Sequence, residues 1–251
     1  MKVISFCNQK GGVGKTTSCM NLGHALSILK KRVLLIDLDL QANLTSGLGL
    51  KNTKKGLFEI LEGEEKINCI LKRDNFYIIP SSRNYNFIFE KEKIKKFNDI
   101  FKNSDFDYIL IDTPPSLGEL SLFALSVSDY VLIPVQSEYF ALEGLVSLLK
   151  TIRYVKAKYN PKLKILGFLI TMFDLRLLLS KHIEKELRET FKEKVFNTVI
   201  PRNVRLAEAP SFGKTIFEYD RNSTGAQKYL ELAKEVLKLE REKETLGTHT
   251  E

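Results

Sequence analysis

Residues 10 to 17 read Lys-Gly-Gly-Val-Gly-Lys-Thr-Thr, a glycine-rich loop with two lysines five positions apart. Gly11, Gly12 and Gly14 are free to take positive φ, so the backbone N–H groups on either side of Val13 can turn inward as a concave nest for an anion. Lys15 then supplies a cation for outer phosphates, and the Thr16 hydroxyl, followed by Thr17, is placed to ligate a phosphate-bound magnesium. Residues 3–7 upstream form a short β-prone run,. Downstream, Met20, Leu22, Ala25, Leu26 and Leu29 recur at near-helical spacing. The loop therefore opens a helix whose positive end faces the same anion.

The rest of the chain repeats this alternation. Continuous apolar runs at 32–37, 76–79, 108–112, 130–135, 165–171 and 195–200 suit strands buried on both faces of a parallel sheet,. Helical patterns at 87–102, 118–127, 142–157, 180–191 and 226–241 separate them. The expected architecture is α/β: a doubly wound, mostly parallel sheet flanked by helices, in one domain over residues 1–245 with a flexible tail at 246–251. No 18-residue apolar stretch and no signal-peptide pattern is present, so a cytoplasmic protein is expected,. Cys7, Cys19 and Cys69 lack metal-ligand spacing and read as small apolar residues in a reducing compartment. The formal charge of +8 suits a polyanion partner, although a lysine-rich composition produces the same excess,.

Ligands of such sheets sit beyond the carboxyl ends of the strands, so strand ends carry the candidates. The run at 32–37 ends in Asp37-Leu38-Asp39. Asp39 is a candidate to orient the water that attacks a γ-phosphate, because phosphoryl transfer needs mainly positioning and charge stabilisation. Tyr108-Ile-Leu-Ile-Asp112 is four apolar residues ending in an acid, halted by Thr113-Pro-Pro; Asp112 is the candidate to hold magnesium through water,.

A standard phosphate loop has glycine where this chain has Gln9, with Lys10 beside it; the early lysine resembles the deviant Walker A motif of the ParA/MinD group of ATPases. Asn8-Gln-Lys-Gly-Gly-Val-Gly-Lys-Thr-Thr17, Val33-Leu-Leu-Ile-Asp-Leu-Asp39, Asp112-Thr-Pro-Pro-Ser116, Pro134-Val-Gln-Ser-Glu-Tyr-Phe-Ala-Leu-Glu-Gly144 and Ile200-Pro-Arg-Asn-Val-Arg-Leu-Ala-Glu-Ala-Pro210 together resemble the small ParA/Soj partition ATPases. The resemblance implies an ATPase using ATP and Mg2+, with weak intrinsic activity stimulated by a ParB-like centromere-binding protein. It implies an ATP-bound homodimer in which Lys10 reaches the partner's phosphates and which binds double-stranded DNA without sequence preference, hence a nucleoid-associated protein. By position, Lys15 is the nucleotide lysine, Thr16 the magnesium ligand, Asp39 the hydrolysis residue and Asp112 the Walker B acid. Pro201, Arg202 and Asn203 fall at the adenine site, and Arg176 and Arg205 match the DNA-binding arginines.

Relatives usually carry proline at the position of Leu40 and glycine at that of Ala42. The chain starts almost at its first strand, so no N-terminal helix-turn-helix domain is expected. A MinD-like membrane ATPase is the alternative, but it would end in a basic amphipathic helix. Here the apolar stripe of Tyr229, Ala233, Val236 and Leu237 suits packing on the sheet, and Glu240, Glu242 and Glu244 disfavour anionic lipid,. A nitrogenase-type iron protein needs cysteines that are absent after Asp112, and a bacterial tyrosine kinase needs a terminal tyrosine cluster that is absent after Tyr229. A nucleotide-gated regulatory switch, with hydrolysis only resetting it, is the second alternative.

Overall fold

The computed structural model describes residues 1–50, 53, 55–63, 70–73, 76–82, 86–138 and 143–247. Among them, seven strands form one sheet in the order β3-β4-β2-β5-β1-β6-β7. These are β1 (Lys2–Phe6), β2 (Val33–Asp37), β3 (Leu71–Arg73), β4 (Phe76–Ile79), β5 (Tyr108–Asp112), β6 (Tyr130–Gln136) and β7 (Lys164–Thr171). Every pairing is parallel except that of β3 with β4 at one edge. The inner strands β2 and β5 are buried at every position, which is why they read as unbroken apolar runs,.

Alternation along the strands divides the core. Ile4, Val33, Leu35 and Leu110 pack with α1 (Lys15–Ile28) and α10 (Thr224–Gly247) on one face. Val3, Leu34, Ile36 and Ile109 pack on the other against α4 (Lys91–Phe101) and α5 (Glu119–Val127). Val131 and Ile133 face α6 (Glu143–Lys158) and α7 (Leu178–Phe191). Tyr229, Ala233 and Val236 are buried in the first of these clusters with Leu237 partly buried, so α10 covers the sheet as its stripe required.

Three expectations change. Residues 195–200 do not form a strand. Phe196 N and Ile200 N bond to β7 at Phe168 O and Ile170 O, but Glu235 captures the Asn197 and Thr198 amides at 2.6 and 2.9 Å, which removes the donors a ladder needs. The edge strand β3, only three residues long, carries no periodicity that sequence reading detects. The last helix runs through Gly247, so residues 246 and 247 belong to it rather than to a tail, while 248–251 and Cys69 lie outside the described residues. Cys7 and Cys19 are buried free thiols. No helix among the described residues is long and apolar enough to cross a membrane.

Candidate nucleotide site

The glycine loop lies at the carboxyl edge of the sheet, between the end of β1 and the start of α1. Gly12 and Gly14 take positive φ, 75° and 86°, whereas Gly11 does not. Asn8 accepts the Lys10 amide at 3.0 Å and donates to Pro134 O at 2.7 Å, and Thr171 Oγ1 donates to Val13 O at 2.9 Å. The loop is thus pinned to the ends of β6 and β7. Gly14 is the N-cap of α1, and no side chain caps that end, so its first-turn amides remain available to an anion,.

Lys15 is buried and its Nζ donates to Lys10 O at 3.1 Å. Burial pushes its pKa below the usual lysine value, and the charges of Asp112, Cys7 and Asp39 oppose that,. A phosphate placed in the loop would restore the charge balance. Lys10 points elsewhere, with Nζ 2.8 Å from Glu138 Oε2.

Asp112 ends β5 directly beside Phe6 and Asp37 in the sheet register. It is fully buried, and neither carboxylate oxygen has a hydrogen-bond partner. Burial raises its pKa well above the carboxylate range and Asp37 adds repulsion; Thr16 and Lys15 act in the opposite direction,. An orphaned carboxylate behind a hydroxyl, at the foot of an anion nest, is a donor set for a hard cation, and magnesium fits it.

Of the two carboxylates at the end of β2, only Asp39 lines the phosphate cavity. Asp37 is consumed by the turn. It accepts Thr45 N at 2.8 Å, Thr45 Oγ1 at 2.6 Å and Asp39 N at 3.1 Å, and burial raises its pKa to about 6. Asp39 accepts the Gln41 amide at 3.0 Å and Asn43 Nδ2 at 3.4 Å, while its carbonyl receives Ser81 Oγ at 2.8 Å. Ala42, next in this turn and buried, sits at φ 55°, ψ 41°.

Two adjoining cavities complete the site. One of about 410 Å³ is lined by the glycine loop, Lys15, Thr16, Thr17, Asp39 and Pro210. The other, of about 390 Å³, is lined by Pro201, Arg202, Asn203, Val204, Leu206 and Tyr229 among others. Gly14, Thr17 and Met172 border both, so the two form one elongated depression. Its polar end carries the phosphate loop, and its other end suits a nucleoside. Met172, Pro210 and Tyr229 were not legible as site residues. Met172 gives a signal only in the backbone, at φ 51°, and Tyr229 reads as a core residue until its hydroxyl is found 3.1 Å from Ser18 Oγ.

The family model for the AAA domain matches residues 1–165. The chromosome-partitioning ATPase Soj of Thermus thermophilus is 46% identical over 238 residues, covering 93% of this chain and 94% of that protein. This chain belongs to the Soj/ParA family of chromosome-partitioning ATPases. The sporulation initiation inhibitor protein Soj of Bacillus subtilis is likewise 46% identical, over 94% of this chain and 98% of its own length. Among solved structures, the cobyrinic acid a,c-diamide synthase of Mycobacterium smegmatis with bound ATP analogue and magnesium superposes with a TM-score of 0.79 at 30% identity, covering 93% of both chains.

The two arginines expected at DNA in a Soj/ParA protein lie outside the cavities, and both are ion-paired. Arg176 is 87% exposed and holds Asp174 through Nε at 2.9 Å and Nη2 at 2.7 Å. Those bonds lower the Asp174 pKa to about 2. Arg205 Nη1 pairs with Glu208 at 3.1 Å, and its Nε lies 3.7 Å from Asp220. Their segments run side by side, because Phe173 N bonds Ile200 O and Arg202 N bonds Phe173 O.

Proposed function

We propose that this chain is an ATP-dependent DNA-segregation ATPase whose ATP-bound homodimer holds duplex DNA non-specifically and releases it on hydrolysis. The observation that carries the nucleotide half is the orphaned Asp112 carboxylate behind Thr16 and Lys15, at the foot of a loop with two positive-φ glycines and an uncapped helix end. Gly11, Gly12, Val13, Gly14 and Thr17 surround the phosphates with backbone donors and Lys15 balances their charge. Pro201, Arg202 and Asn203 flank the base. Thr16 and Asp112 would hold the magnesium, which supplies neutralisation of charge between the outer phosphates. Asp39 orients the attacking water from a turn that Asp37 and Ser81 hold rigid,.

The DNA half rests on family membership and on Arg176 and Arg205 lying on adjacent exposed segments. Contacts from arginines and lysines to phosphate carry no base readout and give steep salt dependence. Closure of two subunits brings Lys10 to the partner's phosphates, and a ParB-like centromere-binding protein stimulates turnover. The protein acts in the cytoplasm on the nucleoid.

The test compares binding of a random-sequence duplex, and of anionic vesicles, by wild type and Asp39→Ala with ATP or ADP at two salt concentrations. ATP-dependent, salt-sensitive DNA binding that accumulates in Asp39→Ala is expected; vesicle binding alone would replace this reading with the MinD-like one. In parallel, Lys15→Ala is expected to lose nucleotide, Lys10→Ala to bind ATP as a monomer, and Arg205→Glu to dimerise without DNA.

A further inference from the structure

We infer that Arg73 is a positioning residue for hydrolysis, clamping the turn that carries Asp39 to the segment that walls the phosphate cavity; this rests on the ATPase reading above. Arg73 sits on the edge strand β3, where a solvent-facing side chain would suffice, yet its side chain is only 22% exposed. Its guanidinium has three destinations. Nη1 donates to Leu48 O, Nη2 donates to Gly213 O at 2.6 Å, and Nε donates to Glu218 Oε1 at 3.1 Å. A planar fork with donors on three separate nitrogens can reach three acceptors on different segments, whereas the three donors of a lysine share one nitrogen.

Each destination leads to the site. Leu48 is the C-cap of the short helix α2 (Asn43–Gly47), whose end leaves carbonyls without helical donors,. That helix begins with Asn43, bonded to Asp39, and contains Thr45, bonded to Asp37. Gly213 closes the turn Ala209–Phe212, and Pro210 within it lines the phosphate cavity. Glu218 belongs to the single-turn helix Ile216–Tyr219 and accepts the Thr215 amide at 2.6 Å through its other oxygen. That turn docks on α1, because Asn21 Oδ1 accepts Ile216 N at 2.8 Å and His24 Nδ1 lies 2.6 Å from Thr215 Oγ1.

The two loops under the clamp also touch through backbone. Gly49 and Gly213 both take positive φ, 73° and 66°, and a Cβ on Gly213 would lie 2.7 Å from Gly49 Cα. One step away, a Cβ on Gly47 would lie 3.4 Å from Pro210 Cβ. The Asp39 turn and the cavity wall are therefore held in one register by Arg73 from outside and by a glycine contact from within. Loosening either leaves the glycine loop and Lys15 in place while Asp39 loses its fixed distance to the phosphate.

The experiment measures steady-state hydrolysis, ADP affinity and thermal unfolding for wild type, Arg73→Ala, Arg73→Lys, Gly213→Ala and, as a surface control, Arg32→Ala. Arg73→Ala and Gly213→Ala are expected to lower kcat about tenfold with KM and ADP affinity within about twofold, the pattern of lost transition-state positioning. Arg73→Lys is expected to stay folded and still lose kcat, because it keeps a cation but gives up two of three contacts. A fall in melting temperature with kcat unchanged would reduce Arg73 to a structural tie and overturn the inference, as would equal losses of kcat and ADP affinity. A wild type without ATPase activity would overturn the proposed function itself, and this role with it.

Discussion

Lys10 and Glu138 of the same chain are joined at 2.8 Å, so the lysine expected to cross between subunits is engaged at home. Both side chains are partly exposed, at 35% and 48%, and such pairs contribute only about 0.2–1 kcal/mol,. That is small enough for a partner's phosphates to displace it and large enough to delay closure. Glu138→Gln is expected to lower the protein concentration for ATP-dependent dimerisation about two- to fivefold, read by light scattering. An unchanged midpoint would show that the pair does not restrain Lys10.

Asp174 occupies the Arg176 guanidinium in the same way. Its pKa of about 2, lowered from 3.8 by the Arg176 bonds, is that of a carboxylate ionised at any pH above that value. Its contribution is present above the unfolded pKa and is lost only as pH falls through about 2, so acidification from pH 8 to pH 5 should not free Arg176,. Asp174→Asn should free it and raise duplex affinity several-fold at low salt, with a salt dependence at least as steep as wild type. Fluorescence anisotropy in a salt series checks both.

Ala42 is an L-residue held in the left-handed region, at φ 55° and ψ 41°. The strain costs about 1–2 kcal/mol, against about 0.8 kcal/mol for removing a buried methyl. The added freedom of glycine in the unfolded chain costs a further ~0.4–1 kcal/mol, so the three terms nearly cancel and Ala42→Gly is expected to leave stability in urea unfolding within about 1 kcal/mol of wild type. A larger loss would mean that the methyl packing dominates, and a larger gain that the strain does.

Neither Asp112 carboxylate oxygen meets a hydrogen-bond partner, and Thr16 and Lys15 only partly offset the cost of its burial, so a bound cation would stabilise its charge further,. Asp112→Asn should bind ADP equally well with magnesium or with a chelator, whereas wild type should bind more tightly with magnesium. Titration calorimetry in the two conditions separates these outcomes. A variant that keeps the magnesium dependence would remove Asp112 from the metal set.

The strands that matter most were legible because burial on both faces leaves an unbroken apolar run, as at Tyr108–Asp112 and Val33–Asp37. Residues 195–200 carry the same signal without forming a strand, because burial alone does not show where their amides go, and Glu235 lies about forty residues away,. The glycine loop, Lys15, Thr16, Asp39 and Asp112 were readable as candidates because a phosphate site needs those residue types next to a strand end and a helix start, a local requirement. Met172, Pro210 and Tyr229 were not, because only their location beside the loop makes them part of the site.

The amino-acid sequence by itself determined the βα order, the phosphate loop and the family, since each is written in short-range spacing. The tertiary structure alone decided that Asp37 serves the turn while Asp39 faces the cavity, that Lys10 is held by Glu138, and that Arg73 ties Leu48 to Gly213 and Glu218. Those outcomes depend on which groups meet in space, from 8 residues apart for Asp37 and Thr45 to 145 for Arg73 and Glu218, where hydrogen-bond geometry rather than local pattern selects the partner,.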